Sequence, residues 1–151
     1  MPQPGAPGAG DWKRPESVLV VIGTAAGEAL LLERTHPPGF WQSVTGSLGW
    51  EEAPAAAARR ELAEETGIDA VPVATGQVNR FPILPAWRAR YHPAVVENLE
   101  HVFVVELPGR VDVRLNPAEH RVYAWLPGAE AVTRASSWTD RAALKALLLS
   151  G

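Results

Sequence analysis

The stretch GSLGWEEAPAAAARRELAEETGI, Gly46 to Ile68, runs from a glycine-punctuated loop into a segment rich in Ala, Arg and Glu. Pro54 suits a first helical turn and Gly67 falls just past a last one, so a helix is predicted over Ala53 to Thr66. At about 100° per residue, Glu61, Glu64 and Glu65 stand at i, i+3 and i+4 and share an arc of roughly 100°. Like charges that close raise one another's pKa values, whereas a hard divalent cation taking oxygen ligands reverses the sign of the effect. Ala55, Ala58 and Leu62 form an adjoining stripe that can bury against a sheet while the acidic face looks into a cleft. Arg60 points beyond the carboxylates, toward Glu52 in the preceding loop.

Upstream, Ser17 to Gly23 and Ala29 to Glu33 are short apolar runs on either side of a turn-like Thr24 to Glu28, and they read as a hairpin. After the Pro37-Pro38-Gly39 break, Phe40 to Thr45 reads as a strand leading into the glycines. Downstream, strands are expected over Val71 to Phe81, His101 to Leu107 and Arg121 to Leu126. Pro82 to Asn98 is an irregular excursion bearing prolines and aromatics, of a length that often carries specificity. Thr139 and Asp140 offer caps to a closing helix over Arg141 to Leu149, with Ala142, Leu144, Leu147 and Leu148 toward the sheet. Trp41, Trp125 and Trp138 read as core or cleft-wall residues. The sum is an α/β protein, a mixed sheet with helices on its faces.

At 151 residues, 46% apolar and 21% charged, the chain suits one domain. It has no cysteine, which excludes disulfides, thiolate metal sites, iron-sulfur clusters and a cysteine nucleophile, so any metal must be held by oxygen or imidazole. Fourteen Lys and Arg against 17 Asp and Glu give a net charge of -3, so no strong field draws in nucleic acid or anionic lipid. A phosphate ligand then needs placed cations or a bound metal, and the only lysines are Lys13 and Lys145. Residues 1–12, MPQPGAPGAGDW, read as a disordered leader without the apolar core of a signal peptide. With no run of roughly 20 apolar residues, a cytoplasmic location and no membrane partner are expected.

An acidic helix face taken alone is usually just solvated. Here the full pattern is Gly46, five residues, Glu52, seven residues, Arg60-Glu61-Leu62, one residue, Glu64-Glu65, one residue, Gly67-Ile68. It matches every position of the Nudix box, and seven fixed identities coincide by chance on the order of once per billion starting positions. The chain resembles the Nudix hydrolases. That resemblance implies an α/β/α sandwich over 13–151 with a mixed sheet and a loop-helix-loop motif, hydrolysing a nucleoside diphosphate linked to another group. It implies Mg²⁺, with Mn²⁺ as a substitute, held by Glu61, Glu65 and the Gly46 carbonyl, with Glu64 as ligand or base and Arg60 and Glu52 bracing the loop. The chemistry of Mg²⁺, which bridges phosphate oxygens and acidifies bound water, agrees.

Further blocks are similar to the bacterial branch of this family that acts on 7,8-dihydroneopterin triphosphate in folate synthesis and also accepts deoxynucleoside triphosphates. They are Lys13-Arg14-Pro15 with Ser17 to Ile22, Phe40 to Ser47, Arg88 to Tyr91, Glu119 to Trp125, and Ser137-Trp138. The similarity implies release of pyrophosphate and a monophosphate, with Lys13 and Arg34 near the triphosphate or its organic end and Thr45 at the cleft edge. It implies that Phe81, Pro82, Ile83 and Leu84 contact substrate, although an apolar strand end completing the core reads equally well. It implies Glu119, on the loop after Asn116-Pro117-Ala118, as a metal ligand or the base, and Ser137 as a hydrogen-bonding partner of substrate. His120 reads as a packing or surface residue. The chain departs from this branch at Leu48-Gly49-Trp50-Glu51, where Trp50 is read as covering the helix start. The expected partner is a small-molecule triphosphate and not nucleic acid, with the protein a monomer or homodimer. A housecleaning deoxynucleoside triphosphate pyrophosphatase is the alternative. A non-catalytic nucleotide sensor ranks last, because Glu61, Glu64 and Glu65 are all present.

Overall fold

The computed structural model describes residues 12–150, without the side chains of the last two; residues 1–11 of the expected leader lie outside the described part. Seven strands form one mixed sheet: β1 (Glu16–Thr24), β2 (Glu28–Arg34), β3 (Trp41–Gln42), β4 (Val44–Ser47), β5 (Val73–Pro82), β6 (Glu97–Leu107) and β7 (His120–Pro127). Their order is β3-β2-β1-β6-β5, with β4 on β1 and β7 on β2. β1 and β6 are parallel from Glu16↔Leu99 to Thr24↔Leu107, and the other pairings are antiparallel.

The hairpin expected over 17–33 is present, but β1 and β2 pair only at Gly23↔Ala29 and then diverge. β4 takes the first half of β1, from Ser17↔Ser47 to Val20↔Val44, while β2 pairs with β7 and β3. The fork sets Gly46 opposite Val18, directly before the loop into α1 (Pro54–Thr66).

Alternation along the strands divides the core. Val18, Val20, Ile22, Leu30 and Leu32 bury one face of the sheet with Ala57, Ala58 and Leu62 of α1. On the other face Val21, Ala29 and Leu31 pack against α2 (Gly128–Arg134) and α3 (Trp138–Ser150) through Ala131, Ala135 and Leu144. Helices on both faces make the α/β/α sandwich. Leu62 is fully buried, and truncating it to Ala is expected to cost roughly 2–5 kcal/mol.

α1 begins with Pro54 after an extended Ala53 and stops at Gly67, whose φ of 74° is left-handed and whose N–H donates to the Ala63 carbonyl at 2.9 Å. Its buried alanines are Ala57 and Ala58; Ala55, expected on the buried stripe, is exposed.

The strand expected over 40–45 is two strands broken at Ser43, whose N–H and hydroxyl donate to the Asp140 carboxylate at 2.6 and 2.7 Å. Asp140 lies in the first turn of α3, whose cap is Ser137, accepting the Asp140 N–H at 3.1 Å. The helix therefore starts earlier than expected, and neither Thr139 nor Asp140 caps it. Trp138 is 57% exposed and not a core residue, and Ala142 is exposed while Leu144 is buried. The short α2 was not expected. β6 reaches back to Glu97, so the excursion spans 83–96 and holds a 3-10 helix, Pro85–Arg90. Among the described residues no helix is long and apolar enough to cross a membrane.

Candidate active site

The loop before α1 is held by two arginines. Arg60 donates through Nε and Nη2 to the two carboxylate oxygens of Glu52, both at 2.8 Å, and through Nη2 to the Ser47 carbonyl at 3.1 Å. Its Nη1 reaches Glu61 at 2.8 Å and Glu64 at 3.2 Å. The guanidinium and the Gly49 N–H hold the Glu52 pKa down at about 2, and Glu52 and Glu61 in return push that of Arg60 up. From the other side Arg14 donates to the carbonyls of Gly49, Trp50 and Glu52. The Trp50 indole donates to the Trp12 carbonyl at 2.8 Å, so this residue ties the loop to the chain's first described residue. Gly46 leaves room for the Glu61 carboxylate, into which a Cβ at this position would collide.

Beside Glu61 lies Glu65, 1% exposed, with neither carboxylate oxygen hydrogen-bonded. Burial first, then the neighbouring Glu61 and Glu119, push its pKa far above the usual carboxylate range. Glu119 arrives on the turn before β7, from outside the helix. Ligand atoms of Glu65, Glu119 and His120 all lie within 4.8 Å of one another. His120 is buried with Nδ1 unpartnered, 3.8 Å from Glu65 Oε1. Desolvation, aided by Arg34, lowers its pKa to about 4, so at neutral pH this approach is not an ion pair. Buried acceptors without donors are what a cation would satisfy, so the group fits a divalent metal.

A cleft of about 270 Å³ is lined by Lys13, Arg34, Ala86, Trp87, Arg90 and Tyr91; Arg34 pairs with His120 across β2 and β7, and Lys13 lies near enough to Glu61 to feel its charge. The Lys13 N–H donates to the Arg90 carbonyl at 2.8 Å, and its ammonium lies 5.8 Å from the centre of the Tyr91 ring. Burial, then Arg90 and Arg34, lower the Lys13 pKa, with Glu61 pulling the other way. Three crowded cations beside aromatic faces suit a polyanion that carries a ring. A wider depression of about 530 Å³ lies around Arg110, Asp112, Tyr123 and Trp125.

Residues 13–147 match the NUDIX domain family. The chain belongs to the Nudix family. It is 36% identical over 145 residues to the dihydroneopterin triphosphate diphosphatase of Escherichia coli K12, spanning 92% of this chain and 95% of that one. The protein of that name from Haemophilus influenzae is 34% identical, over 92% and 90% of the two chains. The structure of the E. coli dihydroneopterin triphosphate pyrophosphohydrolase superposes with a TM-score of 0.84 at 35% identity, covering 94% of this chain and 100% of that one. The MutT protein of Methanosarcina mazei, 22% identical, shares the fold at a TM-score of 0.70, over 94% and 98%.

In this Nudix hydrolase the box residues expected at the metal, Gly46, Glu61 and Glu65, converge, and Glu119 joins them. Glu64 is 58% exposed and pairs with Arg60. Thr45 donates its hydroxyl to the Val18 carbonyl at 3.0 Å, fastening β4 to β1. Lys13 and Arg34 share the cleft, whereas the segment 81–84 does not line it: Ile83 is buried and Leu84 is 60% exposed at the end of β5. Ser137 is occupied as the α3 cap. Sequence reasoning missed Arg90, Trp87 and Tyr91 as cleft residues, although the block Arg88 to Tyr91 was a visible signal. His120, read from the sequence as a packing or surface residue, is buried, and its pairing with Arg34 sets the ring beside Glu65 and Glu119.

Proposed function

We propose that this Nudix hydrolase converts 7,8-dihydroneopterin triphosphate to its monophosphate and pyrophosphate in folate biosynthesis, in the cytoplasm, with Mg²⁺ as its metal and Mn²⁺ as a substitute. One juxtaposition carries the reading: the buried Glu65 carboxylate, without hydrogen-bond donors and beside Glu61 and Glu119, lies near a cleft with three cations and the exposed Trp87 ring. The two curated diphosphatases at 34–36% identity over most of the chain support the same substrate.

Glu61, Glu65, Glu119 and the Gly46 carbonyl are the residues that would hold the metal. When bound, the metal neutralises phosphate charge and lowers the pKa of a coordinated water. Arg60 fixes the loop and keeps Glu61 turned toward Gly46. Lys13, Arg34 and Arg90 bind the phosphate oxygens, Tyr91 backs the Lys13 ammonium, and the half-exposed Trp87 presents a flat face to the ring. Water adds to phosphorus, the bridging P–O bond between the α- and β-phosphates breaks, and pyrophosphate leaves with that bridging oxygen. The proton of the attacking water passes to Glu119 or Glu64, both exposed enough to meet solvent.

Incubation with dihydroneopterin triphosphate and Mg²⁺, followed by phosphorus-31 NMR, tests the reaction type. Equal amounts of monophosphate and pyrophosphate are expected; release of orthophosphate and a diphosphate would contradict the reading.

A further inference from the structure

We propose that His120 is itself a metal ligand, an imidazole nitrogen beside the carboxylates of Glu65 and Glu119, and that it makes this site bind Mn²⁺ more tightly than Mg²⁺. The inference rests on the reading that the carboxylate group holds a divalent cation.

The ring is 2% exposed, and its Nδ1 has no hydrogen-bond partner. At 3.8 Å, Nδ1 is too far from Glu65 Oε1 to donate a hydrogen bond to it. That separation does suit two ligands of one ion: donors each about 2.1 Å from a cation lie about 3 Å apart when adjacent and about 4 Å when opposite. The ring has little freedom to turn away. Its residue pairs with Arg34 across the sheet, and its N–H donates to the Asn116 carbonyl at 2.9 Å.

The other ring nitrogen is held as well. Nε2 lies 2.9 Å from the buried carboxamide of Gln42 on β3. The nearer amide atom is its nitrogen, which as placed donates to Nε2; ligation through Nδ1 requires the carboxamide turned about its last bond, so that its oxygen accepts from Nε2–H and the Nδ1 lone pair faces the carboxylates. A ligating histidine commonly donates its second N–H to such an acceptor. Imidazole among carboxylates shifts selectivity from Mg²⁺ toward transition metals.

The test uses the full chain with Mn²⁺ alone and no substrate, so it reads metal binding independently of which triphosphate is hydrolysed. Pulsed EPR of bound Mn²⁺ is expected to show the nitrogen coupling of a directly ligated imidazole. In His120→Gln that coupling is expected to vanish, with Mn²⁺ affinity falling about tenfold and Mg²⁺ affinity changing less than about threefold. Mn²⁺ that Glu65→Gln displaces but that shows no nitrogen coupling in the unaltered protein overturns the proposal, whether or not the His120 variant folds. Equal losses of Mn²⁺ and Mg²⁺ affinity in His120→Gln overturn the claim of selectivity.

Discussion

Arg60 and Glu52 face each other through two 2.8 Å hydrogen bonds, one from each of two guanidinium nitrogens to each carboxylate oxygen. The same guanidinium touches Glu61 and Glu64, so the loop entry and the acidic face of α1 are registered by one side chain. An ammonium cannot reproduce that fork. Arg60→Lys is expected to lower kcat/KM by about 10²-fold, as misplaced catalytic groups do. The pair is partly exposed, so the same change should cost only about 1 kcal/mol of stability in urea titration. A variant with near-normal turnover would remove Arg60 from the bracing role.

Gly46→Ala tests the close approach of backbone to Glu61. The obstacle to a Cβ is the Glu61 carboxylate, the end of a flexible side chain that can swing aside. Folding is therefore expected to survive, with a melting temperature within a few degrees of the parent, while Mg²⁺ affinity by calorimetry falls at least about tenfold. Unchanged Mg²⁺ binding would show that Glu61 need not stand against Gly46.

Glu65→Gln separates stability from activity. With its pKa raised by burial and two acidic neighbours, Glu65 must take up a proton on folding when no cation is present, which costs stability at neutral pH. The permanently neutral amide removes that cost and is expected to stabilise the metal-free protein by about 1–2 kcal/mol, or a few degrees in melting temperature, while turnover falls at least about 10³-fold. Saturating Mg²⁺ should raise the melting temperature of the parent and leave that of the variant unchanged. A metal-free variant less stable than the parent would contradict this account of the group.

Asp140 supplies a pH dependence away from the metal. Burial above all holds its pKa up at about 6, from an ordinary 3.8; the two bonds from Ser43 oppose the shift and Glu100 adds to it. Between those values the folded protein keeps a proton that the unfolded chain has released. Its contribution to stability is therefore full below about pH 4, declines as pH rises to about 6 and is level above, a change of about 3 kcal/mol. Urea titrations across this interval should show the decline, and Asp140→Asn should flatten it. Parallel curves for the two proteins would refute it.

What the sequence made legible was what short spacings encode. Pro54, Leu62 and Gly67 delimit and orient α1, and the box glutamates follow from its geometry. Ala55 was misplaced because consecutive alanines offer no polarity contrast to say which of them is buried. The start of α3 depends on Asp140 reaching Ser43 across the fold, a contact that no local propensity reports. Likewise Arg90 enters the cleft because its carbonyl is bonded by Lys13, from a segment distant in sequence, and no spacing rule joins the two. The short α2, only seven residues opening on Gly128, is too short for its own propensity to hold and owes its place to Ala131 packing on the sheet.

The substrate itself is the most direct test. Specificity constants should be measured with Mg²⁺ for dihydroneopterin triphosphate, the four deoxynucleoside triphosphates, 8-oxo-dGTP, ADP-ribose and diadenosine polyphosphates. Dihydroneopterin triphosphate is expected to rank first, with a deoxynucleoside triphosphate behind it; a place among the poorest substrates would contradict the assignment.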